Sequence, residues 1–313
     1  YEKAQNEENM SNLVTTKVTN MNSLFGKGLI GWDTQLERDV QSINGDISHW
    51  DVSNVTDMSW MFSGATFDQP IGNWDVSNVT SMYGMLRKTN FNQPIGDWNV
   101  SNVTNMKWMF GGDLGSDFMS SFDNVYDRIG KGSPFNQPIG NWDVSSVTNM
   151  AGMFNYSAFN QPIGDWDVSN VTSMNSMFSG SSFNQPIGDW DVSNLENMTS
   201  IFELSLFNQP IGNWDISNVE GIGFIFNRNK HFNQPIGDWD VSNVIGMNYA
   251  FNESVFNQPI GNWDVSSVTS MISMFEESNF NQLIGDWDVS NVTDMRYMFN
   301  GYTSDGIEIN PFN

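Results

Sequence analysis

Cysteine is absent from the 313 residues, which excludes disulfides and thiolate metal sites and is neutral on compartment. Bases are scarce: 12 Lys and Arg stand against 36 Asp and Glu, a net charge of −24. That balance argues against a basic phosphate-binding surface and so against nucleic acid as partner. No apolar run approaches the roughly 18 residues of a spanning helix, so no transmembrane segment is expected. Histidine occurs only at His49 and His231, which leaves a Ser-His-Asp arrangement little to draw on. No secretion leader is visible, and a start at Tyr1 rather than Met reads as a processed or trimmed chain. Charged residues make up only 15% and aromatics 14%, which is the composition of a folded chain rather than a disordered one.

What is present is a repeat. The stretch from Phe67 to Leu86 returns down almost the whole chain, with its Trp at 50, 74, 98, 142, 166, 190, 214, 239, 263 and 287. The step is 24 residues except where something is inserted, and a fixed period of that size signals stacked coils rather than one compact core. Within the unit, Trp74 and Val76 alternate with polar Asn73, Asp75 and Ser77, the two-residue period of a half-buried strand. Val79, Met82, Met85 and Leu86 follow at helical spacing, and Asn78 stands where an N-cap would. Gln69-Pro70-Ile71-Gly72 reads as a return turn. One such unit cannot bury its apolar face alone, but stacked copies can. The expectation is therefore a repeat solenoid, with one short parallel β-strand and one helical turn per coil. Equivalent strands would lie about 4.8 Å apart, making a curved rod on the order of 50 Å long.

Residues 1–42 read as a degenerate half-repeat followed by an N-terminal cap or side loop. Residues 43–300 read as ten coils, and 301–313 as a C-terminal cap or tail. An insertion at 111–134 is expected to project from one edge of the rod, with Phe118, Phe122 and Tyr126 as a candidate binding loop.

Stacking turns each repeat position into a column. Trp74, Trp98, Trp142, Trp166, Trp190, Trp214, Trp239, Trp263 and Trp287 are assigned to the core, and the Met columns to adaptable core filling. The Asn-Gln pairs (Asn92-Gln93, Asn136-Gln137, Asn160-Gln161 and onward) suit ladders of mutually bonded amides.

The Asp columns are the most specific feature. Asp75, Asp143, Asp167, Asp191, Asp215, Asp240, Asp264 and Asp288 are expected to point outward. Two residues earlier stand Asp97, Asp165, Asp189, Asp238 and Asp286. Like charges stacked in this way should raise one another's pKa. These carboxylates are therefore a candidate site for Ca²⁺ or another hard cation, or for a basic partner. The competing reading is that each accepts hydrogen bonds from nearby N–H groups and Ser hydroxyls. N-glycosylation patterns at Asn54, Asn78, Asn102, Asn170 and Asn291 fall on the expected caps, which leaves Asn155 and Asn252 as the better acceptors. A repeated column is also a poor match for a single active site, so no enzymatic activity is expected.

The unit F-N-Q-P-I-G-N-W-D-V-S-N-V-T-x-M-x-x-M-F resembles the repeat of BspA-type leucine-rich-repeat surface proteins, in the variant found in mycoplasma surface lipoproteins. The resemblance covers roughly residues 43–300. It implies a right-handed leucine-rich-repeat-like solenoid outside the cell, and its better-known members are adhesins that bind matrix proteins or other cells. The lipoprotein Cys anchor is missing here, as is any sorting motif. The expected function is a non-enzymatic extracellular or cell-surface scaffold for adhesion or protein–protein interaction, acting through the acidic face, the insertion, or both. One alternative is a subunit that polymerises with itself into a filament or coat. Another is a binder of ice or mineral surfaces through the Thr column, which is broken at Glu196, Glu220 and Ile245.

Overall fold

The computed structural model describes residues 15–26, 44–112 and 124–301. Within them the chain is a stack of coils, each bonded to the next at equivalent positions. Thr80 N–H donates to Thr56 O of the preceding coil at 2.8 Å. Met82, Gly84, Leu86 and Lys88 N–H donate to Asn105, Lys107, Met109 and Gly111 O of the following one. The pattern recurs to the last coil, where Met271 donates to Asp294 O and Phe275 to Met298 O. The half-unit at the start joins it too: Met21 N–H reaches Asp57 O and Phe25 N–H reaches Met61 O.

The coil is built differently from the strand-and-helix expectation. Parallel pairing falls on the residue between Thr and Met, as single bridges running Asn20, Asp57, Ser81, Asn105, Asn149 and on to Asp294. The Trp74–Ser77 stretch is a link between two tight turns, closed by Trp74 N–H to Ile71 O and Val79 N–H to Val76 O. The stretch after Val79 is not helical either. Left-handed residues recur in it, such as Gly84 at φ 60° and Lys88 at φ 56°, and a helix of L-residues does not tolerate them. Met82 and Met85 keep their apolar spacing because successive i to i+3 turns also return every third residue to the core. Asn78 does not cap anything; its Nδ2 donates to Ser53 O of the coil before, at 2.7 Å. The only helical element among the described residues is a 3₁₀ turn, Val125–Arg128, in the insertion.

Packing explains the repeat. The column Trp side chains from Trp74 to Trp287 are 3–8% exposed, and each indole N–H donates to the Ile carbonyl one coil back, as Trp166 does to Ile139 O at 3.2 Å. Phe, Ile, Val and Met columns fill the rest of one continuous core. Backbone amides of the return turn are held by the amide ladder, with Asn160 N–H bonded to Asn136 Oδ1 at 2.9 Å.

Spacing between equivalent rings shows the curvature. Phe110 and Phe154 are 5.7 Å apart, Phe135 and Phe159 6.1 Å, and Trp190 and Trp214 6.5 Å. Bridged backbone repeats at about 4.8 Å. The stack therefore fans outward from its bridged side, and that side is concave.

The described part of the insertion lies along the stack instead of projecting from it. Ser133 bridges to Ser157, Gly132 N–H donates to Tyr156 O, and Gly130 N–H donates to Gly180 O. Further out, the Tyr126 ring lies 5.7 Å from Lys230 Nζ. Backbone contacts of this segment thus reach the coils of Ser157 and Gly180, and from its 3₁₀ turn the Tyr126 side chain meets that of Lys230 further along. This strap contacts coils that are not neighbours, which a simple repeat array lacks.

Candidate functional site

The Asp columns occupy exposed corners of the coil and are spent locally. Asp75 Oδ1 accepts from Ser77 N–H at 3.1 Å. Asp143, Asp167, Asp191, Asp215 and Asp240 each accept from both the N–H and the hydroxyl of the Ser two residues on, the hydroxyls at 2.6–2.7 Å. Asp264 and Asp288 accept from the matching Ser N–H. The second set, Asp97, Asp165, Asp189, Asp238 and Asp286, lies exposed at the preceding turn.

The expected mutual rise in pKa is not seen. The Ser hydroxyl and then the Ser N–H hold the carboxyls of Asp75, Asp167, Asp215, Asp264 and Asp288 below the usual carboxylate range. The neighbouring carboxylate is the weakest influence on Asp75, Asp215 and Asp264. Among the described residues no three His, Cys, Asp or Glu side chains gather as a metal site, so the geometry gives the Ca²⁺ reading no support. These aspartates make an Asx turn in every coil.

A pH dependence follows. A carboxyl whose folded pKa is lowered contributes stability above its unfolded value of about 3.9, and that stability is lost as pH falls through the folded value. Glu203 acts in the opposite sense, because burial raises its pKa against the lowering effect of Asn227. It is one group against nine, since Asp46, Asp51, Asp57 and Asp294 are lowered as well. Melting temperature is expected to fall between about pH 5 and pH 2, and less steeply in Asp167→Asn/Asp215→Asn. An equal slope in that variant would show that the Asx aspartates do not govern acid stability.

The remaining expected site residues separate. Tyr126 sits in the strap, where burial, then Glu253, push its pKa up to about 12. Phe118 and Phe122 lie outside the described residues. Asn155 and Asn252 are buried at 6% exposure, and the Asn252 amide bonds to Glu276, so neither is a better glycan acceptor than the others.

The positions that vary from coil to coil lie elsewhere, on the concave face. Three columns line it, with side chains from exposed to buried: the bridge residue, the residue two on, and the left-handed residue after that. Successive coils place Asp57, Ser59 and Trp60; Ser81, Tyr83 and Gly84; Asn105, Lys107 and Trp108 in them. The flanking motif hardly changes over the same span. Bases share this preference: between residues 44 and 301 every Lys and Arg falls after the V-T-x-M stretch or in the insertion, and none falls in the Asp and Trp turns.

The left-handed column is unusual. It holds Gly84, Gly152, Ser176, Ser200 and Ser273, but also Trp60, Trp108, Phe224, Tyr249 and Tyr297, all at φ between 51° and 64°. A bulky side chain in that region costs on the order of 1–3 kcal/mol. The rings are supported. Trp60 lies over Gly84 and Trp108 over Gly152, where an added Cβ would come within 2.3 and 2.6 Å of the indoles. The Arg87 guanidinium is 5.9 Å from the Trp60 ring and 5.1 Å from Trp108, and Lys107 Nζ is 5.8 Å from Tyr83. The sequence did carry a signal for this face: at the second x of M-x-x-M the residue is small or aromatic in almost every coil.

Stacked, bonded coils with repeated core columns define a tandem-repeat protein. The chain belongs to the family described as "Mycoplasma protein of unknown function, DUF285", whose family model matches residues 33–125, 116–222 and 203–312. No curated protein and no solved structure matches it. Among the described residues no helix is long and apolar enough to cross a membrane.

Proposed function

We propose that this chain is a non-enzymatic scaffold of the cell surface, a right-handed leucine-rich-repeat-like solenoid that mediates adhesion or protein–protein interaction through its concave face. One observation carries the reading. The repeated side chains are consumed in holding coils together, while the varied ones gather on a single surface. Variation confined to one face of a repeat array is how such arrays distinguish ligands. The acidic corners serve the scaffold, and their charge keeps the surface soluble.

Binding to immobilised extracellular-matrix proteins and to intact cells tests this, comparing Asn175→Arg/Thr199→Arg on the concave face with Asp167→Asn/Asp191→Asn on the acidic side. Loss of binding in the first pair alone is expected. Loss in the second pair alone would transfer the function to the acidic columns.

A second reading, self-assembly into a filament or coat, has one observation in its favour. The last described coil exposes apolar side chains that are buried in earlier coils, with Val289 and Met295 each 39% exposed where Val76 and Met82 are buried. Growth of particle size with concentration in light scattering would support that reading.

A further inference from the structure

We propose that the concave face binds a neutral glycan chain, with the left-handed aromatic residues as stacking platforms for its sugar rings; the inference rests on the binding role proposed above. Five positions of one column carry Trp60, Trp108, Phe224, Tyr249 and Tyr297, where backbone conformation favours glycine. Other coils fill the same column with Gly or Ser, so the fold does not require a ring there. Ser176, Ser200 and Ser273 adopt the same conformation, so the left-handed backbone belongs to the fold, and the rings that five coils place on it are left to serve a ligand.

The geometry suits flat rings. Trp60 and Trp108 stand two coils apart in one column, each laid over the glycine of the next coil, a separation near the length of a disaccharide. Phe224 and Tyr249 stack at 4.7 Å. Beside them the bridge column is Gly221 and Gly246, and nothing lies within 4 Å of a Cβ added at Gly246. That leaves open backbone where a ligand can approach closely.

Between the two aromatic groups the face is polar but uncharged: Ser173, Asn175, Ser176, Asn197, Thr199 and Ser200. The Asn175 Oδ1 is buried with no hydrogen-bond partner. Amides and hydroxyls beside aromatic rings match a sugar's hydroxyls and its apolar ring face.

Charge selects among partners. Across ten coils the three columns hold only Asp57, Lys107, Asp294 and Arg296 as charged residues, the last two paired at 2.8 Å, and Arg87 reaches in from outside them to lie near the Trp60 and Trp108 rings. A face this neutral on a chain of net charge −24 complements an uncharged ligand, and the surrounding acid repels polyanions. An extended peptide adding as a strand finds no free edge between the described coils, because the N–H groups of Met82, Gly84 and Leu86, and their equivalents inside the stack, already bond to the next coil.

The test is Trp60→Gly/Trp108→Gly, assayed with the parent chain on an array of neutral oligosaccharides and by affinity electrophoresis in laminarin, mannan and hydroxyethyl cellulose, with alginate as the anionic comparison. Glycine suits the left-handed backbone, so the variant is expected to melt no lower than the parent and to bind the retained glycan at least tenfold more weakly. A lower melting temperature would make the rings structural. A blank array, equal binding by the variant, or retention by alginate alone would each overturn the proposal. If the array is blank but matrix or cell binding persists, only the glycan is lost. If both are absent, the scaffold reading fails too.

Discussion

Replacing Trp166 by Ala is expected to destabilise the stack by about 3–5 kcal/mol, the usual cost of deleting a buried aromatic. The side chain is 3% exposed. Its ring lies 6.4 Å from Phe154, and its indole N–H satisfies Ile139 O at 3.2 Å. The substitution therefore opens a cavity and removes one of the two donors to Ile139 O, which keeps the Trp142 N–H at 3.1 Å. At roughly 2–4 °C per kcal/mol for a chain of this class, the melting temperature should drop by at least about 6 °C. Coils interact mainly with their neighbours, so hydrogen exchange should quicken first between residues 139 and 190. A melting temperature within about 1 °C of the parent would mean that the Trp column does not hold the coils together.

The second large effect is expected from Gly72→Ala. A Cβ there would come within 2.5 Å of Pro94 O on the next coil. That atom is backbone, so relief requires the two coils to part. Gly96, Gly140, Gly164 and the equivalents further along make the same close approach, at 2.6–2.9 Å. Overpacking of this kind typically costs about 1–3 kcal/mol, here with the added loss of inter-coil bonds. The structure supplies its own control: Gly285, the same position in the last described coil, has nothing within 4 Å of an added Cβ. Gly285→Ala should leave the melting temperature unchanged. If the two variants behave alike, the glycine is kept for turn conformation and not for coil contact.

The comparison between Gly72 and Gly285 also shows how the sequence relates to the fold. Gly-after-Ile is legible as a turn in every unit, but the reason for it lies in another coil's carbonyl. The same holds for Asn78, which by sequence stands where a cap would and by structure bonds across to Ser53 O. Local rules assign a polar side chain to its own backbone. In a stack, the equivalent position one coil away is as near and recurs every time.

The sequence by itself determined the period, the stacking, the inward Trp, Phe and Met columns and the amide ladder, because each depends only on identical units lying side by side. It also determined the low content of bases and the absence of cysteine chemistry. Only the tertiary structure decided where the parallel pairing falls, because Trp74–Val76 alternates as a strand would while the bridge forms at Ser81. It decided that a three-residue apolar spacing is a run of turns, since a helix and such a run share that spacing and differ in the sign of φ. It showed the repeated aspartates bonded to their own coils, which is why the proposed site lies on the variable concave columns instead. A repeated motif draws the eye to what never changes, and in stacked coils those residues are the ones already bonded to each other.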